Sequence, residues 1–197
     1  MHGGIATILL TSLAIMGSPG PATISLVAAG SALGTRRSLR YLAGIVTGTT
    51  IVLLAVAAGL TAALLAVPAA RPVLIGLSAA YILRLAYRVA TAPPLDARAA
   101  PPDAFSLAGG TVLGVANPKA WVAIAAVFAS ARLADGAAAD AAAKVAVLTA
   151  MIVAINTVWL VAGTSLAPLL RDRRRGRLAN VALAAALVGA TALAVIR

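Results

Sequence analysis

Two short stretches of this chain hold residues that could bind a charged solute. Ser18-Pro19-Gly20-Pro21 interrupts an uncharged, mainly apolar run from Gly3 to Gly34, and Asn117-Pro118-Lys119 interrupts another, with Pro118 97 to 99 residues after Pro21 and Pro19. A proline inside a helix lacks the N–H that would bond the carbonyl four residues back. Pro19 would therefore free the carbonyl of Ile15, Pro21 that of Gly17 and Pro118 that of Gly114. Such carbonyls are acceptors for a cation or an ammonium group. The helix that restarts after a break offers free amides to an anion, here those near Gly20 and Ala22. Lys119 adds a positive charge beside the second break, with Ser18 and Asn117 placed to orient a ligand and Asn156 adding an amide further along. Acceptors for an ammonium and donors for a carboxylate together describe a site for a zwitterion. A kink satisfied by neighbouring helices is the competing reading of each proline, and snorkelling to the interface is that of Lys119.

The solvent these residues sit in decides between the readings. The 197-residue chain is 62% hydrophobic and 11% charged, with a mean hydropathy of +1.02, whereas soluble domains carry about 25% charged residues. Apolar runs recur to the end, which predicts an all-α integral membrane protein. Six transmembrane helices are expected, at roughly 4–32, 39–66, 72–90, 105–131, 145–170 and 178–196. In hydrocarbon an unsatisfied carbonyl costs several kcal/mol, so broken backbone persists only against protein or a watery cavity. A lysine near the bilayer centre costs at least ~2.5–3.5 kcal/mol on insertion scales.

The longest polar connection, TAPPLDARAAPPDA at 91–104, contains four prolines and reads as a stiff linker. It divides the chain into a first three-helix repeat at 1–92, a Pro-rich linker at 93–104 and a second three-helix repeat at 105–197. An odd number of spans per repeat inverts the second copy, and paired breaks in spans 1 and 4 are the sequence signature of a central transport site. Ten basic residues (Arg36, Arg37, Arg40, Arg88, Arg98, Arg171, Arg173, Arg174, Arg175 and Arg177) fall in one set of loops and ends. Four (Arg71, Arg132, Lys144 and Arg197) fall in the other. The positive-inside rule then places both termini outside the cytoplasm.

Several classes are disfavoured. Basic residues spread over loops and only 4% aromatics argue against nucleic acid as a partner. There is no cysteine and the single histidine is His2, so soft metal ligands and thiol redox chemistry are missing, and no cofactor is expected. All five acidic residues are assigned to loops, which leaves the spans without a carboxylate proton relay and an enzyme without its acid and base. Gly44 and Gly48 predict a close helix crossing, and Trp159 and Tyr87 read as interfacial anchors.

SPGP in the first span, GSALGTRRSLRYLAGIVTG from residue 30, GLSAAYILRLAYRV in the third span and FSLAGGTVLGVANPKAW in the fourth occur here in this order. Together they resemble the lysine-exporter (LysE/RhtB) family of amino-acid export permeases, over essentially the whole chain. The resemblance implies a secondary exporter in a bacterial cytoplasmic membrane, with an amino acid and the lipid bilayer as partners, and is compatible with homo-oligomers. By motif position it also implies that Pro19, Gly20, Pro21, Asn117, Pro118 and Lys119 flank the pathway. Many relatives carry an acidic residue in the second span, where this chain has Gly48-Thr49-Thr50, and this departure points to small neutral amino acids or related metabolites as cargo. Export of another small solute, or a non-transporting assembly or lipid-binding role, stays open from sequence.

Overall fold

The computed structural model describes residues 2–59 and 105–166, together with scattered positions at 76–91 and 177–189. Every regular element among the described residues is helical: α1 (His2–Thr11), a π-helical turn (Ser12–Met16), α2 (Pro21–Ala57), α3 (Leu107–Ala116), α4 (Pro118–Ala129) and α5 (Ala137–Leu166). The linker at 93–104 lies outside the described residues, as do most of the expected third and sixth spans. Within those two spans, Ala86 and Ala184 are helical and packed into the core.

The 37 residues of α2 are two limbs of a hairpin. Gly34 has φ 74° and ψ 169°, a left-handed conformation that costs glycine little and other residues much. Ser38 Oγ closes the turn, 3.0 Å from Ala29 O and 2.9 Å from Gly34 O. Below it the Tyr41 hydroxyl donates to Ser25 Oγ at 3.0 Å. The second limb therefore resumes directly after Gly34, earlier than the expected start at Leu39. A 13-residue first limb then continues the span begun by α1.

Small residues bring the limbs against the later helices. A Cβ on Gly44 would lie 2.1 Å from Leu107 O and one on Gly48 2.3 Å from Thr111 O. Reciprocally, a Cβ on Gly110 would lie 2.5 Å from Tyr41 O and one on Gly114 2.8 Å from Ile45 O. The expected Gly44/Gly48 crossing is thus met by a matching pair on α3. The first limb crosses α5 in the same manner: Gly30 faces Leu160 O and Gly163 faces Val27 O, each 2.4 Å from a built Cβ. Such contacts let backbones approach where lipid supplies no hydrophobic drive between helices.

Two apolar clusters result. One, near the hairpin tip, joins Ala28, Ala29, Tyr41, Leu42, Phe105 and Leu160, with the Tyr41 and Phe105 rings edge-on at 5.1 Å. The other, at the opposite end, joins Ile8, Val52, Leu53, Ile124, Leu133 and Leu148. Large apolar side chains such as Leu10, Leu13, Val122 and Val158 point outward, the surface that a bilayer covers.

α5 starts at Ala137, eight residues before the expected boundary at Val145. The charges that marked that boundary are satisfied within the fold. Asp140 and Lys144 pair at 2.8 Å one turn apart. Asp140 Oδ1 also accepts from Leu133 N at 2.6 Å, and the Lys144 ammonium lies 5.0 Å from the centre of the Phe128 ring. Asp140 is therefore on the first turn of a helix, not in a loop.

Candidate functional site

Both expected breaks are present, and each restarts a helix with proline in its first turn. The first interrupts the chain after Met16 and ends at Gly20, whose φ −164° and ψ 179° are extended. Pro21 opens α2, where its missing N–H costs no intrahelical bond. Thr23 completes the cap: Gly20 N donates to Thr23 Oγ1 at 2.8 Å, and that hydroxyl lies 3.0 Å from Gly20 O. The second break is Asn117, with Pro118 opening α4, and its Oδ1 accepts from Lys119 N at 3.1 Å. Across it α3 and α4 meet at a bend of 59°.

The breaks lie against one another through Lys119. Its ammonium donates to Ser18 O, to Ser18 Oγ at 2.8 Å and to Pro19 O at 3.2 Å. Its stem passes close over Gly20, where a Cβ would stand 2.7 Å from Lys119 Cδ. Only glycine leaves that path clear. A lysine expensive to place in a membrane is thus held by two backbone carbonyls at the break and by the Ser18 hydroxyl.

A cavity opens where the breaks meet, with about 460 Å³ of empty space including its open mouth. Gly20, Ala22 and Thr23 line it from the first turn of α2, and Thr49 from the second limb. Asn117, Lys119, Ala120, Ala123 and Ile124 line it from the second break and α4, Ile152, Ile155 and Asn156 from α5, and Met16 from the π-helical turn. It separates the two apolar clusters, taking Ala22 from one and Ala120, Ile124 and Ile152 from the other.

Of the residues singled out from sequence, Gly20, Ala22, Asn117, Lys119 and Asn156 come together on the cavity wall. Ser18 and Pro19 hold Lys119, and Pro21 and Pro118 start the two inner helices. The freed carbonyls are arranged differently from expectation. Ile15 O accepts from Ser18 Oγ at 2.8 Å, and Gly17 O accepts from Trp159 Nε1 at 3.1 Å. Trp159, expected as an interfacial anchor, gives its indole N–H to the first break. Gly114 packs its backbone against α2 and is not on the cavity wall. The Gly20 amide, expected to face an anion, is given to Thr23. Thr23 and Thr49 join the expected residues on the wall, and of the two only Thr49 has a pointer in the sequence, the Gly48-Thr49-Thr50 departure. Among the described residues no group of three or more His, Cys, Asp or Glu side chains is arranged to hold a metal.

Apolar helices, two of them interrupted against each other at a cavity lined by apolar side chains and a few polar ones, have the build of a membrane translocator. Residues 13–197 match the family model described as LysE type translocator, and the chain belongs to that family. Curated proteins named "Cysteine/O-acetylserine efflux protein" from Salmonella typhimurium and Salmonella choleraesuis are each 40% identical to it over 94 residues. That stretch is 47% of this chain and 46% of each relative, so less than half the length of these relatives is matched. The protein of the same name from Salmonella paratyphi A is 39% identical over an equal stretch. No solved structure matches the chain.

Proposed function

We propose that this chain exports a small neutral amino acid, or a zwitterionic metabolite like one, across a bacterial cytoplasmic membrane. The observation that carries the reading is the contact of the Lys119 ammonium with the oxygens of Ser18 and Pro19. The site thus holds, at one point, a cation for a carboxylate and acceptors already shaped around a primary ammonium. A zwitterion exchanges with this contact. Its ammonium takes the Ser18 and Pro19 oxygens, and its carboxylate draws Lys119 and the free amides of the first turn of α2, Ala22 among them. Ser18 and Asn117 set its orientation. The names of the relatives, cysteine/O-acetylserine efflux proteins, point the same way.

Alternating access follows from parting and rejoining the two breaks. We assign residues 1–92 and 105–197 to two inverted three-helix repeats that rock about the cavity. Two glycine-lined crossings support this: the first limb of α2 on α5, and the second limb on α3. These are span 1 on span 5 and span 4 on span 2, which an inverted repeat interchanges. We place the hairpin tip in the cytoplasm and both termini outside. Arg36, Arg37 and Arg40 follow Gly34 at that tip, while Gly4 packs against Arg132 and Leu133 at the other end.

Efflux from proteoliposomes or cells preloaded with labelled alanine, serine and lysine tests the reading. Export of alanine or serine that depends on the protein, with lysine retained, is expected. Retention of all three would overturn it.

A further inference from the structure

Three polar groups on the cavity wall have nothing to bond among the described residues. The Asn156 amide donates to Ile152 O at 2.7 Å, which leaves Oδ1 as an acceptor without a donor. Asn117 spends Oδ1 on Lys119 N, which leaves its NH2 group without an acceptor. Thr111 and Thr164 donate one turn back, to Leu107 O and Leu160 O, whereas the Thr49 hydroxyl makes no such bond. The three residues are only 7% (Thr49), 5% (Asn117) and 6% (Asn156) exposed.

All three residues line the cavity. Among the described residues the one fully enclosed side-chain polar atom without a partner is Ser12 Oγ. The free atoms of Thr49, Asn117 and Asn156 therefore keep open area, and the cavity is the space that their residues line. Polar atoms that the protein leaves unbonded at a cavity are available to a solute that enters it. An amide donor, an amide acceptor and a hydroxyl arriving from three separate segments are complementary to a group that both donates and accepts. A hydroxyl does both. Ala120, Ala123 and Ile152 line the same space with apolar atoms.

We propose that Thr49, Asn117 and Asn156 form the side-chain subsite of the transporter and select amino acids with a short hydroxyl-bearing side chain over aliphatic ones of equal size. This rests on the export reading above and extends it from the charged ends of the substrate to its side chain. Lys119 and the first break read the ammonium and carboxylate, which all amino acids share. The subsite reads what differs between them.

Threonine and valine have nearly the same shape and differ by one hydroxyl, so their ratio isolates the contact. Initial efflux of each from proteoliposomes is measured for the wild type and for Thr49→Val, Thr49→Ser and Asn156→Leu, normalised to reconstituted protein. The wild type is expected to favour threonine by tenfold or more, since a site built to bond a hydroxyl rejects the analogue that lacks it. Thr49→Val and Asn156→Leu should each lower the threonine-to-valine ratio about tenfold, and Thr49→Ser should retain the ratio. A helix destabilised by either substitution would depress both substrates together and leave the ratio alone. An unchanged ratio in both variants, with efflux of both substrates intact, overturns the subsite while leaving amino-acid export standing. Failure of the wild type to move either substrate overturns the export reading itself.

Discussion

Replacing Lys119 with methionine separates the ammonium from the stem that carries it. Methionine has similar reach and keeps the apolar packing over Gly20, so the lost element is the charge and its bonds to Ser18 O, Ser18 Oγ and Pro19 O. Ser18 Oγ keeps its bond to Ile15 O. The two carbonyls lose their donor. A deeply buried carbonyl left unmade costs ~1–3 kcal/mol. Ser18 is half-buried and Pro19 exposed at the side chain, so the lower figure applies, about 1 kcal/mol each. About 2 kcal/mol is then removed from the conformation in which the breaks are joined, a factor of roughly 30 in its population relative to the parted form.

Two measurements follow from that factor. Efflux of a neutral amino acid by Lys119→Met should fall by tenfold or more at equal membrane abundance, because the substrate carboxylate also loses its counter-charge. The chain contains no cysteine, so a single Met16→Cys substitution reports the cavity wall without background. Its labelling by a water-soluble thiol reagent should accelerate in the Lys119→Met background as the breaks part. Wild-type efflux together with unchanged labelling would refute the role given to Lys119.

Gly20→Ala tests the same contact from the opposite side. A methyl group placed 2.7 Å from Lys119 Cδ should push the ammonium off Ser18 and reduce efflux several-fold without loss of membrane insertion. Gly48→Ala sets a Cβ 2.3 Å from the backbone oxygen of Thr111; prying α3 from α2 should cost ~1–3 kcal/mol and lower the melting temperature in detergent. Cationic substrates should be poorly exported, because a second positive charge about 4 Å from Lys119 is repelled by ~4 kcal/mol at an effective dielectric near 20; lysine efflux equal to that of alanine would contradict this. Reporter fusions at Pro101 and Arg174 should be active only with a cytoplasmic reporter, and a periplasmic signal at either position would overturn the proposed topology.

The parts of this site that could be read from sequence are those governed by one local rule. Proline frees a carbonyl four residues back and restarts a helix, so the two breaks and the placing of Asn117, Pro118 and Lys119 beside the second were legible without coordinates. The fate of the freed groups was not, because their partners come from far along the chain. Trp159, 142 residues away, takes Gly17 O, and Lys119, about a hundred residues away, takes oxygens of Ser18 and Pro19 that the rule does not single out. Charge misled in the same local way at Asp140 and Lys144, which read as a loop until their pairing across one helical turn is seen. Thr49 had only an indirect signal, the Gly48-Thr49-Thr50 stretch that stands where many relatives are acidic, since its own distinction is a bond it does not make. The requirement that lipid imposes, that every polar group find a partner, accounts for both outcomes. It makes a proline break conspicuous in an apolar run, and it obliges the fold to satisfy whatever the break exposes. Once Ser18, Trp159, Thr23 and Lys119 have done so, the groups still unpartnered at the cavity, among the described residues, are the free atoms of Thr49, Asn117 and Asn156. Under the proposed subsite, those are the atoms whose bonding a transported solute completes.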